Sequence, residues 1–225
     1  MPRLIAMQTL SEENYLKAIY NLDKQGLKKI TPTAIAEALS NNPASVVDMI
    51  KKLTEKKLLQ YEKTKGVKLT EKGKNVAIMV VRKHRLWEVF LLEKLGYGWE
   101  EVHDIAEQLE HVHNDELADR LDKFLGQPQY DPHGDPIPKA NGETATTYKT
   151  LLAEIEEGKE CRVVAVKDTS AAFLQYLKKL EIGINTRISL LEKIPFDNSI
   201  VIMIGKDKKT TVSKIFAENL LVQEL

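Results

Sequence analysis

The sequence has almost no cysteine, no long apolar run and no net charge. Cys161 is its single cysteine in 225 residues, which excludes an internal disulfide and a multi-cysteine metal site and favours a reducing cytoplasm. No segment approaches the roughly 18 apolar residues of a membrane span, and the opening MPRLIAMQTL has no long apolar stretch. With 43% hydrophobic and 29% charged residues, the composition is that of a globular chain. We therefore expect a cytoplasmic protein without a membrane partner.

The zero net charge conceals an uneven distribution along the chain. Basic side chains exceed acidic ones by six in residues 1–75, acidic side chains exceed basic ones by seven in residues 76–148, and residues 149–225 carry a net charge of +1. A basic first third favours a nucleic-acid partner, and an acidic middle favours bound cations. Because the length suffices for two or three small domains, these three segments are the predicted domains.

The first third has the pattern of a winged helix-turn-helix. Apolar residues at helix-face spacing predict one helix over 11–26, a second from residue 31 and a third after the turn at 40–43. Residues 58–63 and 67–70 can then pair as a hairpin wing. The alternative is a solvated basic face on an ordinary three-helix domain, but the wing and the local positive charge favour DNA binding. The residues predicted to face DNA are Thr33, Asn42, Pro43, Ser45, Asp48, Lys51, Lys52, Lys63 and Lys65, with Lys68 as a further phosphate contact.

The middle third begins with a long predicted helix over residues 75–95. Its apolar stretch at 76–81 is wider than one helix stripe, which indicates burial on more than one side and favours a partner chain. DNA-binding modules of this kind usually act as dimers on two half-sites. The sequence therefore predicts a homodimer.

A second helix, predicted over residues 100–125, carries histidine and glutamate side chains on one face. They follow one another at spacings of four, three and one: His103, Glu107, Glu110 and His111. On the preceding helix, His84 and Glu88 are also four residues apart. Two antiparallel helices would bring the two sets together, as in di-metal carboxylate bundles. Solvated surface charges are the alternative, and the number of such residues on two neighbouring helices favours a metal site.

Residues 126–138 contain four of the eight prolines in the chain. This composition predicts a stiff linker or an extended crossing. In a linker, Asp131 and His133 have no function. In a clamp they offer a carboxylate and an imidazole to one cation.

The last third has the pattern of a small β domain. Strands are predicted over 161–166, 187–191, 199–204 and 210–212, with one helix over 170–180. The side chains predicted to face its core are Val163, Ala165, Ile188, Leu190, Val201 and Met203. Cys161 is also predicted to be a core residue.

These residues together resemble the diphtheria-toxin-repressor family of metal-dependent transcriptional repressors, which has iron-dependent and manganese-dependent branches. The most specific matches are Arg-Lys-His-Arg-Leu at 82–86 with Glu88, the segment 107–111 after His103, and Asp-Pro-His-Gly at 131–134. The resemblance extends over the whole chain and implies a mainly α fold with β. It comprises an N-terminal winged helix-turn-helix (1–75), a helical metal-binding and dimerisation domain with the proline-rich linker (76–148) and a small C-terminal SH3-like (FeoA-like) β-barrel (149–225).

The resemblance also implies two sets of metal ligands. A regulatory site would use Asn14, Glu107, Glu110 and His111, with the backbone carbonyl of Glu107 as an additional donor. The second site differs between the branches. The iron branch implies His84, Glu88 and His103, whereas the manganese branch implies Glu88, Asp131, His133 and Asp168.

Three departures from the family pattern bear on the metal. Asn14 stands where relatives have Asp or Met, Glu107 replaces the cysteine of the iron branch, and Asp131 replaces the cysteine of the streptococcal relatives. All the implied ligands are therefore oxygen or imidazole nitrogen. Such a set suits Mn²⁺, with Fe²⁺ as the alternative, and Co²⁺, Ni²⁺ or Zn²⁺ can substitute in vitro.

The predicted function is that of a homodimeric repressor that binds operator DNA when loaded with Mn²⁺ or Fe²⁺ and regulates metal-ion homeostasis genes. No catalytic residues and no small organic substrate are expected. One alternative is a winged-helix regulator that senses a non-metal ligand. The other is a metalloenzyme, which would need an open coordination position and a substrate pocket.

Overall fold

The structure is a computed structural model that describes residues 8–145 and 150–225. The chain folds into two compact units. Unit 1 consists of Met1–His84, Glu107–Asp119 and Pro138–Glu143, and unit 2 consists of Arg85–Ala106, Arg120–Ile137 and Thr144–Leu225. The division into three domains stays a prediction, and its boundary after residue 148 lies outside the described residues. Within the described ranges, no helix combines the length and the apolar character that a membrane span requires.

Unit 1 begins with the predicted winged helix-turn-helix. Its elements are α1 (Leu10–Lys24), α2 (Pro32–Ala38), α3 (Pro43–Glu55), β1 (Leu59–Glu62) and β2 (Gly66–Leu69). The two strands pair antiparallel, with Leu59 opposite Leu69 and Glu62 opposite Gly66. One core joins all three helices to the hairpin, with Leu16, Ile35 and Leu53 fully buried within it. Burial of these apolar faces holds the winged helix-turn-helix together.

Local sequence signals explain where the three helices begin. The side chains of Thr9, Thr31 and Asn42 each accept a backbone N–H bond at the N-terminus of α1, α2 and α3, respectively. Pro32 and Pro43 occupy first-turn positions, where the missing N–H has no helical partner to lose. Helix starts are therefore the most predictable feature of this segment.

The next helix, α4 (Glu71–Leu95), begins four residues before the predicted start at residue 75. The hydroxyl of Thr70 accepts the backbone N–H of Gly73 at 3.1 Å, which satisfies a donor in the first turn. In the apolar stretch at 76–81, Ala77, Ile78 and Val81 pack into the core of unit 1. This stretch is buried by its own chain, so it does not by itself require a partner chain.

The prediction of one helix over residues 100–125 was wrong. The segment forms α5 (Val102–Leu109) and α6 (Asp115–Phe124), separated by a turn. Asn114 accepts the backbone N–H of Leu117 through its side chain at 3.0 Å, which favours a new helix start. Glu110 and His111 therefore lie in the turn after α5 and not on a continuing helix face.

Unit 2 contains the predicted SH3-like fold. Its elements are β3 (Thr150–Leu151), a short 3-10 helix (Leu152–Glu154), β4 (Glu160–Val166), α7 (Ala171–Leu180), β5 (Arg187–Lys193), β6 (Ile200–Ile204), β7 (Lys208–Val212), α8 (Lys214–Ala217) and β8 (Leu220–Glu224). The sheet has the order β3-β8-β4-β5-β6-β7, and its neighbouring strands pair antiparallel. Strand β8 was not predicted, yet it lies between β3 and β4.

The predicted core of this sheet was right on β4 and β5 and only partly right on β6, where Val201 is buried but Met203 is partly exposed. Val163 and Ile188 are fully buried in the core. On β6, however, Ile200, Ile202 and Ile204 belong to the core cluster. Every residue of β6 is apolar, so alternation cannot identify the buried face.

Cys161 is a core residue, as predicted. It is fully buried, and its thiol donates to the carbonyl oxygen of Ile188 at 3.3 Å. Burial raises the pKa of the Cys161 thiol to about 11, with a smaller contribution from the neighbouring Glu160 and Glu224 carboxylates. The thiol is therefore protonated and inaccessible at neutral pH.

We predict that Cys161 reacts with Ellman's reagent only after unfolding. The native protein should show less than about one hundredth of the rate measured in guanidinium chloride, because thiolate formation and access are both suppressed. Absorbance at 412 nm measures the rate. Rapid stoichiometric labelling of the native protein would contradict the buried position of Cys161.

Candidate metal centres

A cluster of possible metal ligands lies in unit 1, where α4 and the end of α5 contribute side chains. One ligand atom each from His84, Glu107 and Glu110 lies within 4.8 Å of the others. His84 Nδ1 is 2.6 Å from Glu110 Oε2 and 3.9 Å from Glu107 Oε1. Glu110 is fully buried, and His84 is also buried. We call these three residues the unit 1 cluster.

The ammonium of Lys17 from α1 contacts all three members of this cluster. Its Nζ atom lies 2.5 Å from Glu107 Oε1, 2.6 Å from Glu110 Oε2 and 3.3 Å from His84 Nδ1. Lys17 was not among the predicted site residues. Its signal was available, because Lys17 is three residues from Asn14 and such residues share a helix face.

Histidine side chains of the turn after α5 contact a carboxylate in the first turn of α1. His111 Nδ1 lies 2.6 Å from Glu13 Oε2, and His113 Nδ1 lies 3.5 Å from Glu13 Oε1. His111 Nε2 in turn is 3.5 Å from Glu110 Oε1. Glu13 was not among the predicted ligands, although it precedes Asn14 directly.

Three buried polar atoms in this region have no hydrogen-bond partner among the described residues. They are Asn14 Oδ1, Glu110 Oε1 and His111 Nε2. A buried oxygen or nitrogen without a partner is costly, and an absent ion is one of the few explanations for such atoms. All three belong to residues predicted to form the regulatory site, so the side chains present fit a divalent cation.

Unit 2 contains another group of possible ligands. Glu88, Asp131 and His133 are buried, and one ligand atom from each lies within 4.8 Å of the others. His133 Nδ1 lies 3.5 Å from Glu88 Oε1, and His103 Nδ1 lies 3.2 Å from the same oxygen. The Nε atom of Arg85 lies 3.3 Å from Asp131 Oδ2. We call Glu88, Asp131 and His133 the unit 2 cluster.

Proximity of buried charges changes the ionisation of this cluster. Burial raises the pKa of Asp131 to about 7, and the Glu88 and Asp135 carboxylates add to the effect against the opposing charges of Arg85 and His133. For His133, burial acts to lower the pKa, but the hydrogen bond and charge of Glu88 outweigh it and the pKa lies above its ordinary value. Burial and the neighbouring carboxylates thus disfavour the ionised form of Asp131, and a cation bound between these oxygens would favour it.

The loop that carries Asp131 and His133 is fixed by hydrogen bonds. Asp131 Oδ1 accepts the backbone N–H groups of His133 and Asp135, at 2.8 and 2.9 Å. The carbonyl oxygen of His133 accepts the backbone N–H of Val166 on β4 at 3.0 Å. At Gly134, φ is +83°, and an added Cβ would lie 1.8 Å from the carbonyl oxygen of Val164. Only glycine fits at this position.

We predict that Gly134→Ala destabilises the protein by roughly 2 kcal/mol more than Gly158→Ala, because only the first meets a clash. Gly158 is a matched control, since its φ is +81° and a Cβ there would have no atom within 4 Å. Thermal unfolding followed by circular dichroism measures both. Equal destabilisation of the two variants would contradict the close packing of this loop on β4.

The remaining predicted ligands have other positions. His84 belongs to unit 1 while Glu88 and His103 belong to unit 2, so the set implied by the iron branch draws on both units and stays a prediction. Asp168 accepts the backbone N–H of Ser170 at 2.8 Å in the turn before α7. It is in none of the ligand groups found among the described residues.

The nine residues predicted to face DNA are all exposed on unit 1. They lie on α2, α3 and the wing. Asn42 caps α3 and accepts the N–H of Ala44 at 2.8 Å. Lys52 also contacts a buried carboxylate, with its Nζ 3.0 Å from Glu12 Oε1. A surface of this kind, at the start of a second helix and on a basic hairpin, can contact base edges and phosphates.

A winged helix and buried groups of histidine and carboxylate side chains together define a class, that of DNA-binding regulators with metal-ligand clusters. Three family descriptions match the chain in succession: "Iron dependent repressor, N-terminal DNA binding domain" over residues 7–67, "Iron dependent repressor, metal binding and dimerisation domain" over 70–139 and "FeoA domain" over 150–224. These matches follow the order of the elements seen in the structure.

Individual relatives agree with these matches. The iron-dependent repressor IdeR of Mycobacterium leprae (strain TN) is 31% identical over 210 residues, which are 88% of this chain and 90% of that protein. The regulator MntR of Oceanobacillus iheyensis is 40% identical over 116 residues, 51% of this chain and 77% of that protein. A solved structure described as a manganese-dependent transcriptional repressor in complex with manganese is 33% identical, has a TM-score of 0.83 and is aligned over 95% of this chain and all of its own.

The chain belongs to the diphtheria-toxin-repressor family of metal-dependent transcriptional repressors.

Proposed function

We propose that this chain is a transcriptional repressor that binds operator DNA as a homodimer when loaded with Mn²⁺, and that it regulates metal-ion homeostasis genes. The observation that carries the proposal is the set of buried atoms of Asn14, Glu110 and His111 that have no hydrogen-bond partner among the described residues, in the unit that bears the winged helix. Family membership supports the same conclusion. We propose no catalytic role, and a cytoplasmic location accords with a DNA partner.

The donor atoms support Mn²⁺ as the metal. Asn14, Glu107, Glu110 and His111 offer oxygen and imidazole nitrogen, and the single cysteine of the chain is buried in the other unit. Hard oxygen donors favour Mn²⁺ over metals that prefer thiolate, and Fe²⁺ is the alternative. A bound cation would supply positive charge to carboxylates that the fold has removed from water. Glu88, Asp131 and His133 would hold a second ion.

The first turn of α1 offers a route from the cluster to the DNA-facing helix. Glu12 is fully buried, and its Oε1 lies 3.0 Å from Nζ of Lys52 on α3 and 2.6 Å from Nζ of Lys56, the C-cap residue of α3. Burial by itself raises the pKa of Glu12, but hydrogen bonds from the two lysines outweigh it and hold the pKa below its ordinary value. Glu13, the next residue, contacts His111.

Adjacent residues of one helical turn thus contact α3 on one side and the candidate metal ligands on the other. Ligation by Asn14, His111 and Glu110 would restrict the position of α1, and α1 restricts the lysines of α3. Metal would bind more tightly to the arrangement of α1 and α3 that fits DNA than to other arrangements, and would therefore favour the DNA-binding form. By linkage, operator DNA would raise the affinity for metal by the same factor.

A homodimer is supported by the family description and by exposed apolar side chains in unit 2. Phe124 is 65% exposed at the end of α6, and Leu95 is 57% exposed at the end of α4. Exposed apolar side chains of this size favour a protein partner when they form a patch. A dimer would present two winged helices to half-sites roughly one turn of DNA apart.

We predict that Glu110→Gln abolishes metal-activated DNA binding. Loss of a buried ligand should lower Mn²⁺ affinity by roughly hundredfold or more, since even removal of a group that only supports a ligand costs up to about that factor. The probe is a duplex selected from a random pool with the wild-type protein in Mn²⁺, and gel-shift titrations in Mn²⁺ and in EDTA measure its binding. Glu116→Gln, an exposed change on α6, is the matched control.

For Glu110→Gln, operator affinity equal to that of the wild type in Mn²⁺ would contradict a metal role for the unit 1 cluster. Wild-type binding that EDTA leaves unchanged would contradict metal dependence as a whole.

We predict that Lys51→Ala and Lys65→Ala each weaken binding to the same duplex and to unrelated duplexes alike. Each change removes about one phosphate contact, so the slope of log affinity against log salt concentration should fall by about 1. Fluorescence anisotropy between 50 and 300 mM KCl, roughly the range in which such slopes are linear, gives the slope. Lys159→Ala, an exposed change in unit 2, should leave it unchanged, and an unaltered slope in both wing-domain variants would contradict the proposed DNA face.

A further inference from the structure

Lys17 is a cation inside a candidate cation site. Its ammonium lies within hydrogen-bond distance of one oxygen each of Glu107 and Glu110 and 3.3 Å from His84 Nδ1. These are the three residues whose ligand atoms form the unit 1 cluster. The Lys17 side chain is only 12% exposed. The ammonium therefore occupies the position where the carboxylate oxygens converge.

The charge balance explains why a cation is required there. Glu110 is fully buried and Glu107 is partly covered, and two carboxylates this close together repel each other unless a positive charge lies between them. An ammonium is a compact charge with three N–H donors. Two of these N–H groups can be donated to the two carboxylates, which satisfies both without any metal.

A divalent cation and this ammonium cannot share the same oxygens. The oxygens that contact Nζ, Glu107 Oε1 and Glu110 Oε2, belong to the two carboxylates proposed as metal ligands, and an ammonium and a divalent ion held by the same two carboxylates in a weakly hydrated site repel strongly. The lysine side chain has four flexible methylene groups. Its ammonium can therefore swing towards solvent while α1 keeps its place in the core.

We propose that Lys17 is a built-in competitor of the divalent cation, which stabilises the metal-free cluster and sets the metal concentration at which the site fills. The inference rests on the proposed metal-dependent function and adds a residue that determines its threshold. Metal binding then exchanges an internal cation for an external one. The cost of displacing the ammonium lowers the affinity for metal.

The first test removes the charge without adding a donor atom. Lys17→Leu should bind Mn²⁺ at least tenfold more tightly than the wild type in isothermal titration calorimetry. Metal-free Lys17→Leu should also melt at a lower temperature than the metal-free wild type, so that saturating Mn²⁺ raises its melting temperature by more. Lys17→Arg retains the charge and should show no gain in affinity. Lys24→Leu, an exposed change on the same helix, is the control.

The second test uses the wild-type protein and does not depend on a variant that folds. Acetic anhydride labelling, read by mass spectrometry, should modify Lys17 slowly in EDTA and at least several-fold faster in saturating Mn²⁺, because the displaced ammonium reaches solvent. Lys24 should label equally in both conditions. Equal protection of Lys17 with and without Mn²⁺ would overturn the proposal.

The outcomes separate this inference from the proposed function. If the wild type binds Mn²⁺, Glu110→Gln does not, and Lys17→Leu has wild-type affinity, competition by Lys17 is wrong while the metal site stands. If the wild type binds no Mn²⁺ and its DNA affinity is the same in EDTA, both the inference and the proposed function fail.

Discussion

The organisation of unit 1 depends on how it neutralises buried carboxylates. Glu12 and Glu110 are fully buried and Glu13 nearly so, and a carboxylate removed from water is tolerated only beside a cation or several donors. Each has such a neighbour. Lys52 and Lys56 contact Glu12, His111 contacts Glu13, and Lys17 contacts Glu110. These pairs connect α1 to α3 and to the turn after α5. A change of charge at one pair therefore alters the forces that position all three elements.

Helical geometry lets a single turn of α1 serve both neighbours. Consecutive residues on an α-helix point in directions about 100° apart, so Glu12 and Glu13 can contact different elements while the backbone stays regular. Thr9 and Glu12 also form a reciprocal capping box that fixes the start of the helix. Glu12 thus contributes both to the helix start and to the position of α3. The coupling that we propose between the metal ligands and the DNA-facing helix therefore needs no long path through the molecule.

The parts of the fold that follow local rules were predictable, and those that depend on distant contacts were not. Caps and first-turn prolines marked α2 and α3, whereas the break after α5 lacks Gly and Pro and accompanies a contact between His111 and Glu13, 98 positions apart. The spacing of Lys17 from Asn14 places the two on one face of α1, but local rules do not reveal the contacts of Lys17 with Glu107 and Glu110, 90 and 93 positions away. On β6 a run of apolar residues concealed the buried face. The spacing of His and Glu side chains on two helices predicted that His84 lies near Glu107 and Glu110, as it does in the unit 1 cluster, whereas the assignment of metal ligands stays a prediction.

The donor set has a consequence for behaviour under oxidative stress. Cysteine ligands are oxidised stepwise from sulfenic to sulfinic and sulfonic acid, and this oxidation destroys a metal site that uses them. Neither the unit 1 cluster nor the unit 2 cluster contains sulfur, and the only thiol of the chain is protonated inside a hydrophobic core. Carboxylates and imidazoles at these positions leave peroxide no thiolate to attack. The ligand chemistry of the two clusters is therefore insensitive to the thiol oxidation that would inactivate a thiolate sensor.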